Sequence, residues 1–343
     1  MKIPLEKRIN AFAELGEVLR HPGQHPVLAK MIEELQFDNP WFTPDNVRHA
    51  LMAAGQNLTK EKLQTWLQPY EKDLAGDSIP RTVAVIMAGN IPFVGFHDFL
   101  SVLISGNRFL GKLSSNDKKL PAAVGNILLE IEPAFESLIT FTDAILKNFD
   151  AVIATGSNNT SRYFEYYFGK YPHIIRKNRN SIAVLTGEEK EEELQTLGKD
   201  IFQYFGLGCR NVSKIFVPEN YDFDRFLKAM QPFSDIILHH KYKNNYDYYK
   251  AIYLVNGEAH HDNGFLLLKE EAGYGSPPSV LYYTVYKDKS RLDFQLLTER
   301  ENIQTVVSGI PVPLPSVPSG KAQEPELWDY ADGVDTLEFL TGL

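Results

Sequence analysis

The chain has 343 residues, of which 43% are hydrophobic and 23% charged, and its formal net charge is −9. This composition is that of an ordinary globular protein, and the negative charge argues against a broad basic surface for nucleic acid. The length predicts about two domains, since one domain commonly takes about 150 residues. The single cysteine excludes an intrachain disulfide.

The N-terminal part, residues 1–75, is predicted to be helical, because apolar residues recur at helical spacing. Its first residues lack the apolar region of a signal peptide, so we expect a cytoplasmic protein. The most hydrophobic stretch, residues 83–110, includes Asn90, Asp98 and Arg108. Such a stretch is too polar to cross a bilayer, and we expect no membrane span.

From residue 81 onward, short runs rich in Val and Ile alternate with helical patterns. This alternation is typical of a parallel sheet covered by helices on both faces, which is an α/β fold. The predicted strands are Thr82–Met87, Arg108–Leu113, Ala151–Ala154 and Ser181–Leu185, with helices at Phe96–Ile104 and Ala122–Ile131.

A second series of elements begins after an acidic helix predicted at residues 191–205, and it includes strands at Lys214–Val217, Phe265–Leu268 and Val280–Tyr286. We therefore expect a helical segment at 1–75, a cofactor-binding domain at 76–200 and a catalytic domain at 201–309. Residues 310–343 are expected to return to the cofactor-binding domain or to form an edge or oligomerisation strand, with Val334–Leu340 as that strand.

Two glycine-rich segments could suggest nucleotide-binding loops. Gly106–Lys112 matches GxxxxGK, but Leu113 replaces the hydroxyl residue that would hold magnesium, and the segment reads as a strand. Gly206-Leu207-Gly208 ends a helix instead of following a strand, so it is not a dinucleotide fingerprint. No Cys, His and carboxylate spacing completes a metal site, and we expect none.

Cys209 is the candidate nucleophile. A lone cysteine is most often a small buried apolar residue. Here glycine precedes it and a strand follows within a few residues, which favours a thiol on a loop between two elements. A thiol with a pKa near 8.5 is only a few per cent thiolate at neutral pH, so we expect the site to lower that pKa, with Arg210 as one candidate cause.

Four short motifs in order resemble the aldehyde dehydrogenase superfamily, and within it the long-chain acyl-CoA reductases of bacterial bioluminescence. The resemblance covers residues from about 80 to the C-terminus and implies a Rossmann-type cofactor domain, an α/β catalytic domain and a helical N-terminal segment. The motifs are Ala88-Gly89-Asn90-Ile91-Pro92, Lys112-Leu113-Ser114-Ser115, Gly156-Ser157, and Gly208-Cys209 with the strand that follows.

The resemblance also implies roles. Cys209 attacks the acyl thioester, and the Asn90 amide with the Cys209 backbone N–H holds the oxyanion. On the cofactor side, Lys112 with Ser114 and Ser115 binds the ribose region, and Gly156-Ser157 lies by the phosphates or nicotinamide. A glutamate on the nicotinamide ribose best matches Glu271, with Glu270 as the alternative register.

Two departures from the superfamily pattern carry information. Aldehyde-oxidising relatives have a general-base glutamate where this chain has Arg176–Ser181, which contains no carboxylate. Because that base releases the acyl group as an acid, its absence favours reduction. NAD-preferring relatives often have glutamate where this chain has Ser115, and serine tolerates a 2′-phosphate. NADPH is therefore expected, with NADH as the alternative.

The sequence thus predicts NADPH-dependent reduction of a fatty acyl-CoA, or of an acyl group on a carrier protein, to an aldehyde through an acyl-cysteine. Two alternatives stay open. One is a CoA-acylating aldehyde dehydrogenase for shorter aldehydes, and the other is a non-catalytic nucleotide-binding subunit of the same fold. The family resemblance implies a homo-oligomer, with a dimer expected.

Overall fold

The computed structural model describes residues 2–76 and 79–343. The chain divides into two compact units, one formed by Met1–Lys177 with Glu326–Leu343 and the other by Asn178–Pro325. The division at residues 177 and 178 lies upstream of the boundary at 200 expected from the sequence. Its cause is the strand at Asn180–Val184, which pairs with the strand at Val212–Pro218 in the second unit.

The first unit begins with helices, as predicted. Their buried faces include Phe12, Leu15 and Leu19, which are fully shielded from solvent. Threonine side chains at the N-caps of two helices accept hydrogen bonds from the backbone of the first turn, which satisfies donors that a helix start leaves unpaired. The helices are α1 (Leu5–Arg20), α2 (Pro26–Asp38), α3 (Pro44–Asn57), α4 (Lys60–Leu67) and α5 (Glu71–Ala75).

Sheet 1 of this unit has five parallel strands in the order β3-β2-β1-β4-β5. The order reverses between β1 and β4, and ligands of such sheets bind beside the carboxyl ends of the strands at that point. The elements are β1 (Thr82–Ile86), α6 (Phe96–Ile104), β2 (Arg108–Lys112), α7 (Lys119–Ile131), β3 (Ile139–Thr142), β4 (Ala151–Thr155), α8 (Asn158–Phe168) and β5 (His173–Arg176).

The GxxxxGK segment does not form a phosphate-binding loop. Gly111 and Lys112 lie inside β2, where their backbone pairs with β1 and β3. A phosphate-binding loop instead follows a strand and opens a helix, with its backbone N–H groups turned toward the phosphates. The NTPase interpretation is therefore excluded by the strand.

The C-terminal segment corrects one expectation, because Val334–Leu340 is not an edge strand. A short 3-10 helix is followed by α13 (Thr336–Thr341). The Asp335 side chain caps this helix by accepting from the Glu338 N–H at 2.9 Å, and Leu337 and Leu340 share its buried face. A capping carboxylate and apolar residues three apart are helical signals that outweigh the β propensity of the segment. Residues 326–343 belong to the first unit, and residues 310–325 belong to the second.

Sheet 2 forms the second unit and has seven strands in the order β12-β11-β6-β7-β10-β9-β8, all parallel except for β8. A bulge in β7 interrupts its register with β6 at Ser213. The strands are β6 (Asn180–Val184), β7 (Val212–Pro218), β8 (His261–Asp262), β9 (Leu267–Glu270), β10 (Val280–Tyr286), β11 (Ile303–Ser308) and β12 (Ser316–Val317), and the helices are α9 (Glu191–Phe202), α10 (Phe223–Ala229), α11 (His240–Asn256) and α12 (Lys289–Thr298).

Candidate functional site

The carboxyl edge of sheet 1 gathers the first group of predicted site residues. Asn90 follows β1, Lys112 ends β2, and Gly156-Ser157 follow β4. These three strands are neighbours in the sheet and run in the same direction. Residues far apart in sequence therefore meet at one edge, on both sides of the point where the strand order reverses.

Asn90 lies on an exposed turn whose base is tightly packed. A Cβ atom at Gly89 would collide with the Ser114 hydroxyl, so the turn approaches the loop after β2 as only glycine permits. Phe93, three residues after Asn90, has φ of 63°. Its backbone N–H donates to Asp117 Oδ2 at 2.7 Å.

Asp117 is a residue that the sequence analysis missed. It is 3% exposed, and burial raises the pKa of its carboxyl to about 7, partly offset by the hydrogen bond from the Phe93 N–H. It lies between Asn116 and Lys118, and such a polar stretch gives no periodic pattern. Only the packing of the loop against the Asn90 turn shows that this acid is buried.

The loop after β2 carries the predicted ribose ligands. Lys112 Nζ donates to the backbone oxygens of Asp143 and Ala144 at 3.2 and 3.0 Å. An ammonium has three N–H donors, so one donor is not used by these two carbonyls. Ser114 Oγ accepts from the Asn116 N–H at 3.3 Å, and the Ser115 side chain is exposed.

Gly156 and Ser157 form the entry to α8. Ser157 caps this helix, since its Oγ accepts from the Thr160 N–H at 3.3 Å. A Cβ at Gly156 would lie 2.9 Å from the Phe164 ring, so glycine allows the close packing of strand end and helix. The N-terminus of α8 thus begins at the carboxyl edge of sheet 1, where its partial positive charge favours an anion.

Cys209 is exposed and lies on the loop between α9 and β7. Asn211 ties this loop to the end of α9, because its Nδ2 donates to the carbonyls of Asp200 and Gln203 at 3.0 and 2.8 Å. Its Oδ1 accepts from the Gly208 N–H at 2.8 Å. The Cys209 carbonyl accepts from Ser181 Oγ at 3.0 Å. The thiol is therefore presented on a loop whose backbone is fixed on both sides.

The structure connects this loop with the segment that carries Glu271. Ser213 Oγ donates to the Tyr274 carbonyl at 2.7 Å and also lies 3.4 Å from the Ser181 carbonyl. Ser181 in turn holds the Cys209 carbonyl. Two side-chain hydroxyls thus join the nucleophile loop to the turn after β9, although about 60 residues separate them along the chain.

Lys214 is a second residue that the sequence did not identify. It is fully buried, and its Nζ donates to the carbonyls of Glu271, Ala272 and Gly273 at 2.9, 2.7 and 3.2 Å. These three acceptors use all three donors of an ammonium. Burial lowers the pKa of Lys214 to about 8, and the charges of Glu299 and Glu271 oppose that shift.

Glu271 lies at the carboxyl end of β9 and is partly buried, whereas Glu270 is exposed. Its Oε1 accepts from the Ala272 N–H at 2.9 Å, and Oε2 lies 3.6 Å from Lys269 Nζ. The Gly273 N–H first, and then the Ala272 N–H and the Lys269 charge, lower the pKa of this carboxyl. Glu271 is therefore held as a carboxylate.

Comparison with known proteins assigns the chain to a family. The model of the family described as acyl-CoA reductase (LuxC) matches residues 41–231, which is more than half of the chain. The chain belongs to this family. As a member it is an oxidoreductase that acts on acyl or aldehyde groups. No curated protein sequence matched the chain.

Solved structures with the same fold are aldehyde dehydrogenases and related enzymes. Aldehyde dehydrogenase 21 from Physcomitrella patens is 12% identical with a TM-score of 0.65, over 89% of this chain and 73% of that one. A putative aldehyde dehydrogenase from Burkholderia cenocepacia is 12% identical with a TM-score of 0.64, over 91% and 76%. An NADP-dependent enzyme of E. coli is 12% identical with a TM-score of 0.66, over 89% and 73%. The predicted aldehyde dehydrogenase-like fold is confirmed.

Arg176, the first residue of the segment that the resemblance places at the general base of the superfamily, is buried in the first unit. Its guanidinium donates to Asp98 Oδ2 at 2.6 Å and to Thr336 Oγ1 at 3.1 Å. These three side chains join β5, α6 and α13. An arginine cannot be deprotonated in a protein, so Arg176 itself cannot act as a general base.

Two remaining expectations concern Arg210 and membrane-spanning helices. Arg210, the neighbour of the nucleophile, donates from Nη1 to Thr305 Oγ1 at 3.2 Å, a contact with a neutral hydroxyl. Within residues 2–76 and 79–343, no helix has the length and apolar character needed to cross a membrane.

Proposed function

We propose that this acyl-CoA reductase converts a fatty acyl thioester to an aldehyde, with Cys209 carrying the acyl group and NADPH supplying the hydride. The donor is an acyl-CoA or an acyl group on a carrier protein. The observation that carries the proposal is the exposed Cys209 on a fixed loop, in a chain whose segment corresponding to the general base, Arg176–Ser181, contains no carboxylate.

The chemistry at Cys209 takes two stages. Its thiolate attacks the thioester carbon, and the tetrahedral adduct collapses with loss of the CoA or carrier thiolate. The Asn90 amide and the Cys209 backbone N–H hold the oxyanion, and each donor contributes roughly 3 kcal/mol to lowering the barrier. Hydride addition to the acyl-cysteine would then give a thiohemiacetal anion on Cys209, and this anion would collapse to the aldehyde as the C–S bond breaks and the Cys209 thiolate re-forms.

The residues at the carboxyl edge of sheet 1 suit a dinucleotide with an added phosphate. Lys112 provides a cation beside hydroxyls that the ribose presents, and the N-terminus of α8 at Gly156-Ser157 favours phosphate. Ser114 and the exposed Ser115 add hydroxyl donors without a carboxylate that would repel a 2′-phosphate. When bound, NADPH supplies the hydride that reduces the acyl group.

Glu271 completes the proposed set of cofactor contacts. Its carboxylate is ionised and anchored by the backbone N–H groups that follow it, and carboxylates are the usual acceptors for ribose hydroxyls. NADH is the alternative cofactor. By family resemblance we also propose a cytoplasmic homo-oligomer, most simply a dimer.

The decisive experiment is to incubate the protein with palmitoyl-CoA and determine its intact mass, then to add NADPH and follow its oxidation. We expect one acyl adduct per chain, which NADPH discharges as aldehyde. Cys209→Ala and Cys209→Ser should form no thioester and lose turnover, whereas Asn116→Ala, which changes an exposed neighbour of the site, should behave as wild type.

The alternatives give different results in the same assay. A CoA-acylating aldehyde dehydrogenase for short aldehydes would prefer acetyl-CoA or butyryl-CoA over palmitoyl-CoA and would oxidise the matching aldehyde when CoA and NADP⁺ are supplied. A non-catalytic subunit would form no adduct with any acyl-CoA. Full activity in Cys209→Ala would show that the nucleophile is assigned wrongly.

A further inference from the structure

Asp117 is a carboxylate in a place where its burial is costly. The residue is 3% exposed, and its Oδ2 accepts one hydrogen bond, from the Phe93 N–H at 2.7 Å. Its Oδ1 atom has no hydrogen-bond partner among the described residues. An incompletely paired carboxylate in the interior destabilises a fold relative to an apolar side chain of similar size. Its presence therefore calls for a role other than packing.

The hydrogen-bond donor, Phe93, has an unusual backbone conformation. Its φ is 63°, and a residue other than glycine in this left-handed region costs about 1 kcal/mol or more. The ring is buried and stacks on Phe96 with centroids 4.5 Å apart. The Asp117 carboxyl therefore accepts from the backbone N–H of the strained residue itself.

Asn90 lies three residues before Phe93 in the same turn, and the glycines on either side of the two residues are closely packed. A Cβ at Gly89 would collide with the Ser114 hydroxyl, and a Cβ at Gly95 would collide with the Met87 side chain. The backbone between these glycines is thus confined at both ends, and its middle is fixed by Asp117. The backbone at Asn90 is therefore restrained on both sides.

We propose that Asp117 is a positioning residue for Asn90, which it holds in the orientation that an oxyanion donor requires. The inference rests on the proposed function, in which Asn90 donates to the oxyanion. Asp117 forms and breaks no bond in the reaction and acts through the backbone from Phe93 to Asn90. A shift of about 1 Å in a group that contacts the reacting atoms can cost about 100-fold in rate.

The test is a double-mutant cycle between Asp117 and Asn90. We expect Asp117→Ala to lower kcat by about 100-fold, measured at saturating NADPH so that a change in the neighbouring Ser114 and Ser115 does not enter the comparison. In an Asn90→Ala background, Asp117→Ala should cause no further loss, because residues that act through one another are not additive. Asp117→Asn, which keeps an acceptor for the Phe93 N–H, should retain most of kcat.

Controls separate positioning from a structural effect. Asn116→Ala, next to Asp117 but exposed, should keep wild-type kcat, and Asp117→Leu repeats the cycle with the volume filled if the alanine variant does not fold. Additive losses in the cycle, or an Asp117→Asn variant as slow as Asp117→Ala, would overturn the inference. Failure of the wild type to accept palmitoyl from palmitoyl-CoA would instead overturn the proposed function.

Discussion

Ser115 follows Lys112 by three residues and is exposed at the carboxyl edge of sheet 1. A single side chain at this point can alter cofactor choice, because a carboxylate would stand near the position proposed for the 2′-phosphate. Serine brings a hydroxyl that donates a hydrogen bond and adds no negative charge. The ammonium of the neighbouring Lys118 forms an ion pair with Asp143 at 3.1 Å. Ser115 is therefore the simplest position at which to test the preference for NADPH over NADH.

Ser115→Glu is expected to reduce kcat/KM with NADPH by tenfold or more while changing kcat/KM with NADH much less. The reason is repulsion between like charges, which costs several kcal/mol when they are poorly solvated. Steady-state kinetics with both cofactors measure the change, and Ser115→Ala is the control for loss of the hydroxyl alone. Equal losses with both cofactors would show that Ser115 does not face the 2′-phosphate.

At the scale of elements, strand β7 holds the turn after β9 in the second unit. Its bulge at Ser213 interrupts the alternation of side chains, so that Ser213 and Lys214 both reach the segment after β9. The Lys214 ammonium also lies 4.9 Å from the centre of the Tyr274 ring. The turn that carries Glu271 is therefore shaped by a strand two positions away in the sheet.

Lys214→Met should raise KM for NADPH by roughly tenfold, the equivalent of about 1.4 kcal/mol, because three carbonyls lose their donor and the turn that holds Glu271 relaxes. Lys214→Arg should restore part of the affinity. Lys287→Met, which removes a surface lysine with a side chain 79% exposed, is the matched control. An unchanged KM for NADPH would show that this turn does not contribute to cofactor binding.

At the scale of the whole molecule, the two compact units can be followed separately. The three tryptophans, Trp41, Trp66 and Trp328, all belong to the first unit. Trp66 Nε1 donates to Tyr330 at 2.8 Å, so its fluorescence also reports whether the C-terminal segment stays attached. Unfolding measured by tryptophan emission is therefore a property of the unit that contains Asp117 and the Asn90 turn.

The stability of this unit should depend on pH through Asp117. Its pKa is about 7 in the folded protein and near 3.8 when unfolded, so the folded state binds the proton more tightly. The stabilisation of the folded state by this tighter proton binding is complete below about pH 4 and is lost as pH rises through 7. Between pH 5.5 and 8 the loss is about 2 kcal/mol by linkage.

Asp117→Asn should abolish this component, so that the variant gains stability over wild type as pH rises from 5.5 to 8. Urea unfolding followed by tryptophan emission at several pH values measures the difference, with the exposed Asp73→Asn as control. A constant difference between Asp117→Asn and wild type across that range would mean that the carboxyl titrates normally.

Local sequence signals predicted most of the strands and the helical N-terminal part. Apolar runs and helical spacing predicted the strands at residues 82–87, 151–154 and 280–286 and the helical N-terminal part, because these patterns follow from one-sided or complete burial. They failed where the signal was short or mixed. The strands β3, β5, β8 and β11 and the helices α10, α11 and α12 were not predicted, and the C-terminal Val334–Leu340 was assigned to a strand although it is largely helical.

The sequence by itself determined the chemistry that is available: one thiol, an amide in a tight turn, a lysine at a strand end and no carboxylate at the general-base position. These are properties of residue types and their order along the chain. Tertiary structure decided which residues support them. Asp117, Lys214 and Asn211 act through burial and through contacts between segments distant in sequence. The burial of a single polar residue leaves no periodic pattern in the sequence, so it could not be predicted.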